Sequence, residues 1–217
     1  MKSDKLNIIT FVTNDYIDIM KEFFISTLPK EIDSVVIECG NISGYLRHDP
    51  DAYKLEILRT KFICNQIKAN FGENLMMIDS DVAFSGKNFK NEICNILGEY
   101  DIVFQFNDSW YNFGVFALHC NNETLDLFNF LLNHELPKLE KNKEIHDQHL
   151  INDLLKTDRF KNIKHTYLSP QKYFSNHFHK IKFPQHMTSE VILFHATNTY
   201  SLEEKKNKLK QFIQYKF

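Results

Sequence analysis

Cysteine is scarce in this chain. Its four residues, Cys39, Cys64, Cys94 and Cys120, are far apart and never form Cys-x-x-Cys. That spacing excludes a disulfide framework and a cysteine-type zinc site, and describes reduced, mostly buried thiols of a cytoplasmic protein. A dominant charge sign is also missing: 26 Lys and Arg face 28 Asp and Glu, a net charge of −2. The near balance points away from nucleic acid and from an anionic membrane surface as partners. No apolar run approaches the roughly 20 residues of a membrane span. The opening Met1-Lys2-Ser3-Asp4-Lys5 leads into a strand pattern rather than a signal segment. Internal repeats, low-complexity tracts and interdomain linkers are absent too, so residues 1–217 read as one domain. What the chain has in quantity is phenylalanine, 20 residues, which argues for a packed core and against disorder.

The segment Asn74-Leu75-Met76-Met77-Ile78-Asp79-Ser80-Asp81 organises the rest. A short uninterrupted apolar run reads as a strand buried on both faces, as in a parallel sheet. Such sheets bind ligands beyond the carboxyl ends of their strands, which is where Asp79 and Asp81 fall. Asp-x-Asp on a turn suits a hard divalent cation, Mn²⁺ or Mg²⁺, whose shell is completed by water and substrate phosphate. A chain rich in aspartate also forms Asp-x-Asp by chance. The second copy, Asp49-Pro50-Asp51, is explained as a helix N-cap followed by proline at the first helical position. The first copy has no such role, because two carboxylates closing a buried strand repel unless a cation lies between them. If that turn is exposed, removing either carboxylate should leave the fold intact.

In chain order, residues 6–13 are a β-rich run, and apolar residues then recur at helical spacing up to Pro29. Residues 35–39 form a second strand, and Leu55, Leu58, Phe62 and Ile67 mark a helix ending near Gly72. Strand–helix–strand–helix–strand is the pattern of a right-handed parallel α/β sheet. It brings the loop after the first strand, with Thr13, Asp15 and Tyr16, to the same edge as Asp79 and Asp81, as a candidate seat for a nucleoside. Beyond a short helix over 89–97 come two strands, 101–106 and 111–119, the second with Gly114 inside it. Glycine within a strand marks a bulge or the close approach of another group. Helices follow around Leu125–Leu132 and over 145–155, then an apolar strand, 191–194, ending at His195. Ser201-Leu202-Glu203-Glu204 is a capping box that opens the last helix.

His195 follows an apolar strand as Asp79 does, so both should leave one sheet at one edge. A neutral imidazole is an acceptable third ligand beside two carboxylates for Mn²⁺. Two other histidine pairs, His146-x-x-His149 and His177-x-His179, lack the Glu of His-Glu-x-x-His and any nearby cysteine, which speaks against zinc.

These motifs together resemble the metal-dependent GT-A glycosyltransferases, in the nucleotide-diphospho-sugar transferase group, and are similar to the glycogenin-like retaining enzymes. The resemblance rests on Met77-Ile78-Asp79-Ser80-Asp81-Val82 as the strand-borne Asp-x-Asp. It rests also on Asn112-Phe113-Gly114-Val115 as the Asn-x-Gly strand, and on Asp147-Gln148 as the Asp-Gln helix start. Phe194-His195-Ala196-Thr197-Asn198 followed by Lys205 matches the C-terminal metal-histidine segment. This chain departs from the glycogenin-like pattern in lacking the Gly-x-x-Lys that follows the histidine there. The likeness implies a GT-A fold, a mixed, mainly parallel sheet flanked by helices. It implies Asp79, Asp81 and His195 as metal ligands, Asp79 also near the ribose, and Lys205 on the diphosphate. Asn112, Asp147 and Gln148 would surround the transferred sugar, and Thr13 with Asp15 or Tyr16 the base. A basic residue on the helix before the metal strand, Arg59 or Lys61, completes the donor site, and Lys61 is carried forward.

The implied activity is Mn²⁺- or Mg²⁺-dependent transfer of a hexose or pentose from a nucleotide sugar, a UDP-sugar foremost, to a glycan, protein or small-molecule acceptor with retention. The absence of a membrane anchor suits a soluble, cytoplasmic enzyme of bacterial or viral source. One alternative is a nucleotidyltransferase of nucleotide-sugar synthesis, against which stands the lack of a glycine-rich basic loop after the first strand. The other is a non-catalytic nucleotide- or glycan-binding module.

Overall fold

A computed structural model describes residues 3–40, 52–107, 110–140, 146–176, 187–197, 199 and 201–215. The proposed cap at Asp49-Pro50-Asp51 and the pair His177 and His179 lie outside the described residues.

Among the described residues there are nine strands and six α-helices. The strands are β1 (Leu6–Thr13), β2 (Ser34–Gly40), β3 (Asn74–Ile78), β4 (Val82–Phe84), β5 (Ile102–Asn107), β6 (Trp110–His119), β7 (His165–Tyr167), β8 (Tyr173–Ser175) and β9 (Leu193–His195). The helices are α1 (Ile17–Ile19), α2 (Ala52–Ala69), α3 (Lys90–Glu99), α4 (Asn122–Phe130), α5 (Asp147–Leu154) and α6 (Leu202–Gln214). A 3₁₀ turn before α1 and a π turn after it extend the first helical segment, and further irregular turns follow α4.

Six strands form the main sheet in the order β2-β1-β3-β6-β5-β7. β1 pairs parallel with β2 and β3, β5 pairs parallel with β7, and β6 runs antiparallel to both its neighbours. The sheet is thus mixed but mainly parallel, as the sequence predicts. Because side chains alternate across a strand, every core strand serves two apolar layers. Ile9, Phe11, Leu75, Met77, Phe116 and Leu118 face α2, α4 and α5. Leu6, Ile8, Met76, Ile78, Val115 and Ala117 face α3 and the first helical segment. This double burial explains why β1 and β3 read as continuous apolar runs. Each fully buried Phe or Leu contributes about 1.5–3 kcal/mol, so these two layers supply most of the driving force.

A second sheet has three strands in the order β4-β9-β8. Here the structure corrects a sequence expectation. His195 and Asp79 do not leave one sheet: β9 belongs to the second sheet and pairs antiparallel with β4, Val82 opposite His195. The Ala196 amide donates to the Asp81 carbonyl at 3.1 Å. That ladder, rather than a shared parallel sheet, carries the histidine to the acidic turn. The α6 helix, capped by Ser201 Oγ accepting from the Glu204 amide at 3.1 Å, packs Leu209 and Phe212 against Phe194 and Phe174 behind it.

Candidate active site

The carboxyl ends of β1, β3 and β5 and the start of β6 meet at one edge of the main sheet, because β6 is reversed. A pocket of about 420 Å³ opens there, lined among others by Thr13, Tyr16, Arg59, Asp79, Asp81, Asn112, Asp147, Gln148, His195 and Lys205. This is the crevice expected beyond strand ends in α/β folds.

Three potential ligands converge inside it: Asp79, Asp81 and His195, with their ligand atoms all within 4.8 Å of one another. His195 Nε2 lies 3.3 Å from Asp81 Oδ1 and 3.7 Å from Asp79 Oδ2. The second oxygen of each aspartate is engaged by a cationic side chain. Asp79 Oδ1 accepts from Arg59 Nη1 at 3.2 Å, and Asp81 Oδ2 is bound by Lys205 Nζ. One oxygen of each carboxylate is therefore turned toward the imidazole.

The orientation of that imidazole follows from a chain of amides. Gln105 Nε2 donates to the Tyr173 carbonyl at 3.2 Å, so Gln105 Oε1 points the other way and must accept. It accepts from His195 Nδ1 at 2.9 Å and from Asn112 Nδ2 at 3.0 Å. Asn112 is fixed in turn, because its Oδ1 accepts from the Gly114 amide at 2.8 Å. His195 Nδ1 thus carries a hydrogen, and Nε2 is the nitrogen turned toward the two carboxylates. An outer-shell acceptor that fixes the histidine tautomer is what a histidine metal ligand needs. Two carboxylate oxygens and one imidazole nitrogen fit a divalent cation that keeps open positions for water or phosphate.

Gly114 makes room for this cluster. A Cβ there would overlap Asp79 Oδ2 and come within 2.8 Å of His195 Cε1, while the Gly114 carbonyl accepts from the Asp79 amide at 2.7 Å. The sequence reading of Gly114 as a point of close approach holds, and the approaching group is the Asp79 carboxylate.

The electrostatics are those of a crowded site. The protein packed around Asp79 lifts its carboxyl above the usual range, with Arg59 opposing and Asp81 adding to the rise. Burial would lift Asp81 too, but Lys205 and then His195 more than cancel it and hold it well below that range. Burial works against the Lys205 charge, and Asp81 outweighs it, keeping the ammonium protonated. Asp81 is only 6% exposed. The expectation that these carboxylates sit at an exposed turn and matter little to folding is therefore wrong for Asp81. It is half of a buried ion pair, and removing one partner of such a pair costs about 3–5 kcal/mol.

A line of contacts crosses the pocket. Lys205 Nζ lies 5.1 Å from the Tyr16 ring centroid and binds Asp81; His195 joins Asp81 to Asp79; Arg59 then bridges Asp79 and Asp147. Beyond Asp147, His146 Nδ1 lies 3.5 Å from Glu56 Oε1, and His149 meets Trp110 edge-on at 5.2 Å.

Most of the sequence-predicted residues are brought together here: Thr13, Tyr16, Asp79, Asp81, Asn112, Asp147, Gln148, His195 and Lys205 all line the pocket. Asp15 and Lys61 are exposed and do not line it. Of the two basic candidates on α2, Arg59 is the one that lines the pocket. Leu58, counted with the apolar face of that helix, is 40% exposed, while Glu56, Thr60, Ile63 and Ile67 are buried. The inward face is thus rotated from the expected one, toward Arg59 and away from Lys61. Gln105 was not anticipated at all, since it appears in sequence as one polar residue in an apolar strand. A register shift between Phe104 and Gln105 turns it toward Asn112. Glu56 and Trp110 were likewise missed, and His146 and His149 line the pocket without joining the metal cluster.

Comparison with known proteins agrees with this geometry. The family model described as nucleotide-diphospho-sugar transferase matches residues 47–212. Sequence comparison with curated proteins gives no match. Among solved structures, a glycosyltransferase involved in glycosylation of the major capsid of PBCV-1 superposes with a TM-score of 0.56 at 13% identity, covering 94% of this chain and 98% of that one. The apo-form glycosyltransferase GlyE of Streptococcus pneumoniae TIGR4 gives 0.57 at 13% identity, covering 97% of this chain and 63% of that one. A second GlyE structure gives 0.53 at 15%, covering 97% and 64%. This chain therefore spans a little under two thirds of the GlyE chains. With a family match over most of its length, a GT-A fold and an Asp-Asp-His cluster in its strand-end crevice, the chain belongs to the nucleotide-diphospho-sugar transferase family of glycosyltransferases.

Proposed function

We propose that this single domain transfers a sugar from a UDP-sugar, with Mn²⁺ as the cation and with retention of anomeric configuration. The observation that carries the reading is the order of contacts across the pocket. From Tyr16 through Lys205 and Asp81, then His195 and Asp79, to Arg59 and Asp147, the side chains form one continuous line, which supports the order base, diphosphate, cation, sugar.

Asp79, Asp81 and His195 would hold the cation, and an imidazole among the ligands favours Mn²⁺ over the strictly oxygen-seeking Mg²⁺. A bound divalent cation supplies positive charge to the diphosphate as the glycosidic bond breaks. Lys205 already carries its charge at this point, and a phosphate oxygen would compete with Asp81 for it. A cation held in place beforehand is worth more in a water-poor pocket than in bulk solvent. At the base end, Thr13 Oγ1 is buried without a hydrogen-bond partner, which supports a role on the nucleoside. Asn107 Oδ1 is similarly without a partner and lines the same pocket, as an acceptor for a donor hydroxyl.

Arg59 and Asp147 form the seat for the transferred sugar, with Gln148 beside them. Asn112, whose amide is occupied by Gln105 and Gly114, acts by positioning His195. Retention is the outcome that the likeness to glycogenin-like enzymes implies. The four free cysteines support a cytoplasmic setting, and a bacterial or viral source fits the neighbours of similar fold. Among the described residues no helix is long and apolar enough to cross a membrane.

The test is turnover of a panel of nucleotide sugars by the purified protein with Mn²⁺. The proposal expects release of free sugar and UDP from at least one UDP-sugar, lost on chelation, and NMR of the transfer product should show the donor's anomeric configuration. No turnover of any UDP-sugar would refute the donor assignment, and an inverted product would refute retention.

A further inference from the structure

Trp110 and Glu56 also line the pocket, and neither belongs to the Asp79, Asp81 and His195 cluster. Trp110, the first residue of β6 and the chain's single tryptophan, is 38% exposed. It is held from the α5 side: His149 meets its ring at an interplanar angle of 80°, and Lys156 Nζ, just beyond α5, lies 5.4 Å from its centroid. The ring is thus fixed rather than loosely exposed.

Glu56 on α2 lines the same pocket and is 3% exposed, yet its Oε1 has no hydrogen-bond partner; His146 Nδ1 stands 3.5 Å away. A buried acceptor oxygen without a donor is costly, and such an atom calls for an external partner. Burial first, and then Asp147, push the Glu56 carboxyl above its usual range, with His146 and Arg59 opposing the rise.

The geometry points to this pair as the acceptor subsite and to a carbohydrate as the acceptor, its ring laid on Trp110 and a hydroxyl donating to Glu56 Oε1. The inference rests on the nucleotide-sugar reading above. A sugar ring combines an apolar C–H face with a rim of hydroxyl donors. A fixed aromatic surface beside an unpartnered carboxylate oxygen matches both features. A nucleoside base would also stack on indole. Trp110, however, is held against His149 and Lys156 on the α5 side, whereas Tyr16 lies against Lys205.

Tryptophan emission reports on this ring alone, because there is no other tryptophan. Protein saturated with Mn²⁺ and UDP would be titrated with methyl glycosides of hexoses, N-acetylhexosamines and pentoses. At least one should change the emission saturably. In transfer assays with that glycoside, Trp110→Ala should raise its KM about tenfold, with a smaller change in kcat, and Trp110→Phe should restore most of the loss. The inference is overturned if UDP with Mn²⁺ shifts the emission and glycosides add nothing, if no glycoside changes it, or if Trp110→Ala leaves the KM unchanged. Wild-type donor hydrolysis, measured on the same preparation, separates the two readings. Turnover of a UDP-sugar without any glycoside response refutes the acceptor subsite alone. Absence of both UDP binding and turnover refutes the nucleotide-sugar reading and this inference with it.

Discussion

Gln105 Oε1 accepts a hydrogen bond from His195 Nδ1 at 2.9 Å, and that bond decides which imidazole nitrogen faces Asp79 and Asp81. Gln105→Leu removes the acceptor and leaves Asn112 Nδ2 with only its 3.4 Å contact to His195 Nδ1. The ring then loses its fixed tautomer and tilt. Outer-shell losses of this kind weaken metal affinity about 10- to 100-fold. Titration of Mn²⁺ into wild type and Gln105→Leu should show a drop in that range, while far-UV circular dichroism stays native. Equal affinity would mean that the Nδ1 bond does not prepare the ligand.

Gly114→Ala should be disproportionately harmful for one methyl group. Its Cβ would overlap Asp79 Oδ2 and crowd His195 Cε1, so the carboxylate must move out of the cluster. The overpacking should cost about 1–3 kcal/mol in chemical denaturation, together with loss of Mn²⁺-dependent UDP binding. A variant that binds Mn²⁺ and UDP like wild type would show that Asp79 need not hold its present position.

Arg59 bridges Asp79 and Asp147, a span that a planar guanidinium can make and a point charge cannot. Arg59→Lys should therefore lower turnover roughly a hundredfold, as misplacement of groups around a reacting centre does. Lys61→Ala, on the exposed face of the same helix, should leave turnover unchanged. Steady-state rates of donor hydrolysis for the two variants settle which basic residue serves the site.

How much of this was legible in the sequence varies with the kind of signal. β1, β3 and β6 announced themselves because burial on both faces leaves long apolar runs, and Gly114 stood out because glycine weakens a strand unless something needs the space. Arg59 was obscured by Leu58, an exposed leucine that shifted the apparent apolar face of α2. Gln105 was invisible because a register shift between β5 and β6, not the two-residue period, aims it. The route by which His195 reaches the cluster was misread, since a three-residue strand such as β4 leaves almost no pattern in the sequence.

Glu56 gives a pH dependence with a definite sign. Its carboxyl is raised by burial first and then by Asp147, so the folded state favours the protonated form relative to the unfolded chain. The stability this contributes is complete below the unfolded value of about 4.3 and is lost as pH rises through the higher folded value. Glu56→Gln, which cannot ionise, should escape that loss. Its melting temperature should exceed that of wild type near neutral pH, and the difference should shrink toward about pH 4. A wild type more stable than Glu56→Gln at neutral pH would show that the ionised carboxylate is compensated in a way this geometry does not contain.

The central claim is that Asp79, Asp81 and His195 hold one cation through which the nucleotide diphosphate binds. The most direct measurement is thermal unfolding with UDP in the presence of Mn²⁺ and in the presence of chelator, for wild type and His195→Ala. Binding to the folded state raises stability by mass action, about 2.7 kcal/mol at a ligand concentration a hundred times Kd. For wild type the account predicts a clear rise in melting temperature with UDP and Mn²⁺ together and little with either alone, and for His195→Ala a rise largely abolished. Stabilisation by UDP that is equal with Mn²⁺ and with chelator, or equal in wild type and His195→Ala, would contradict it.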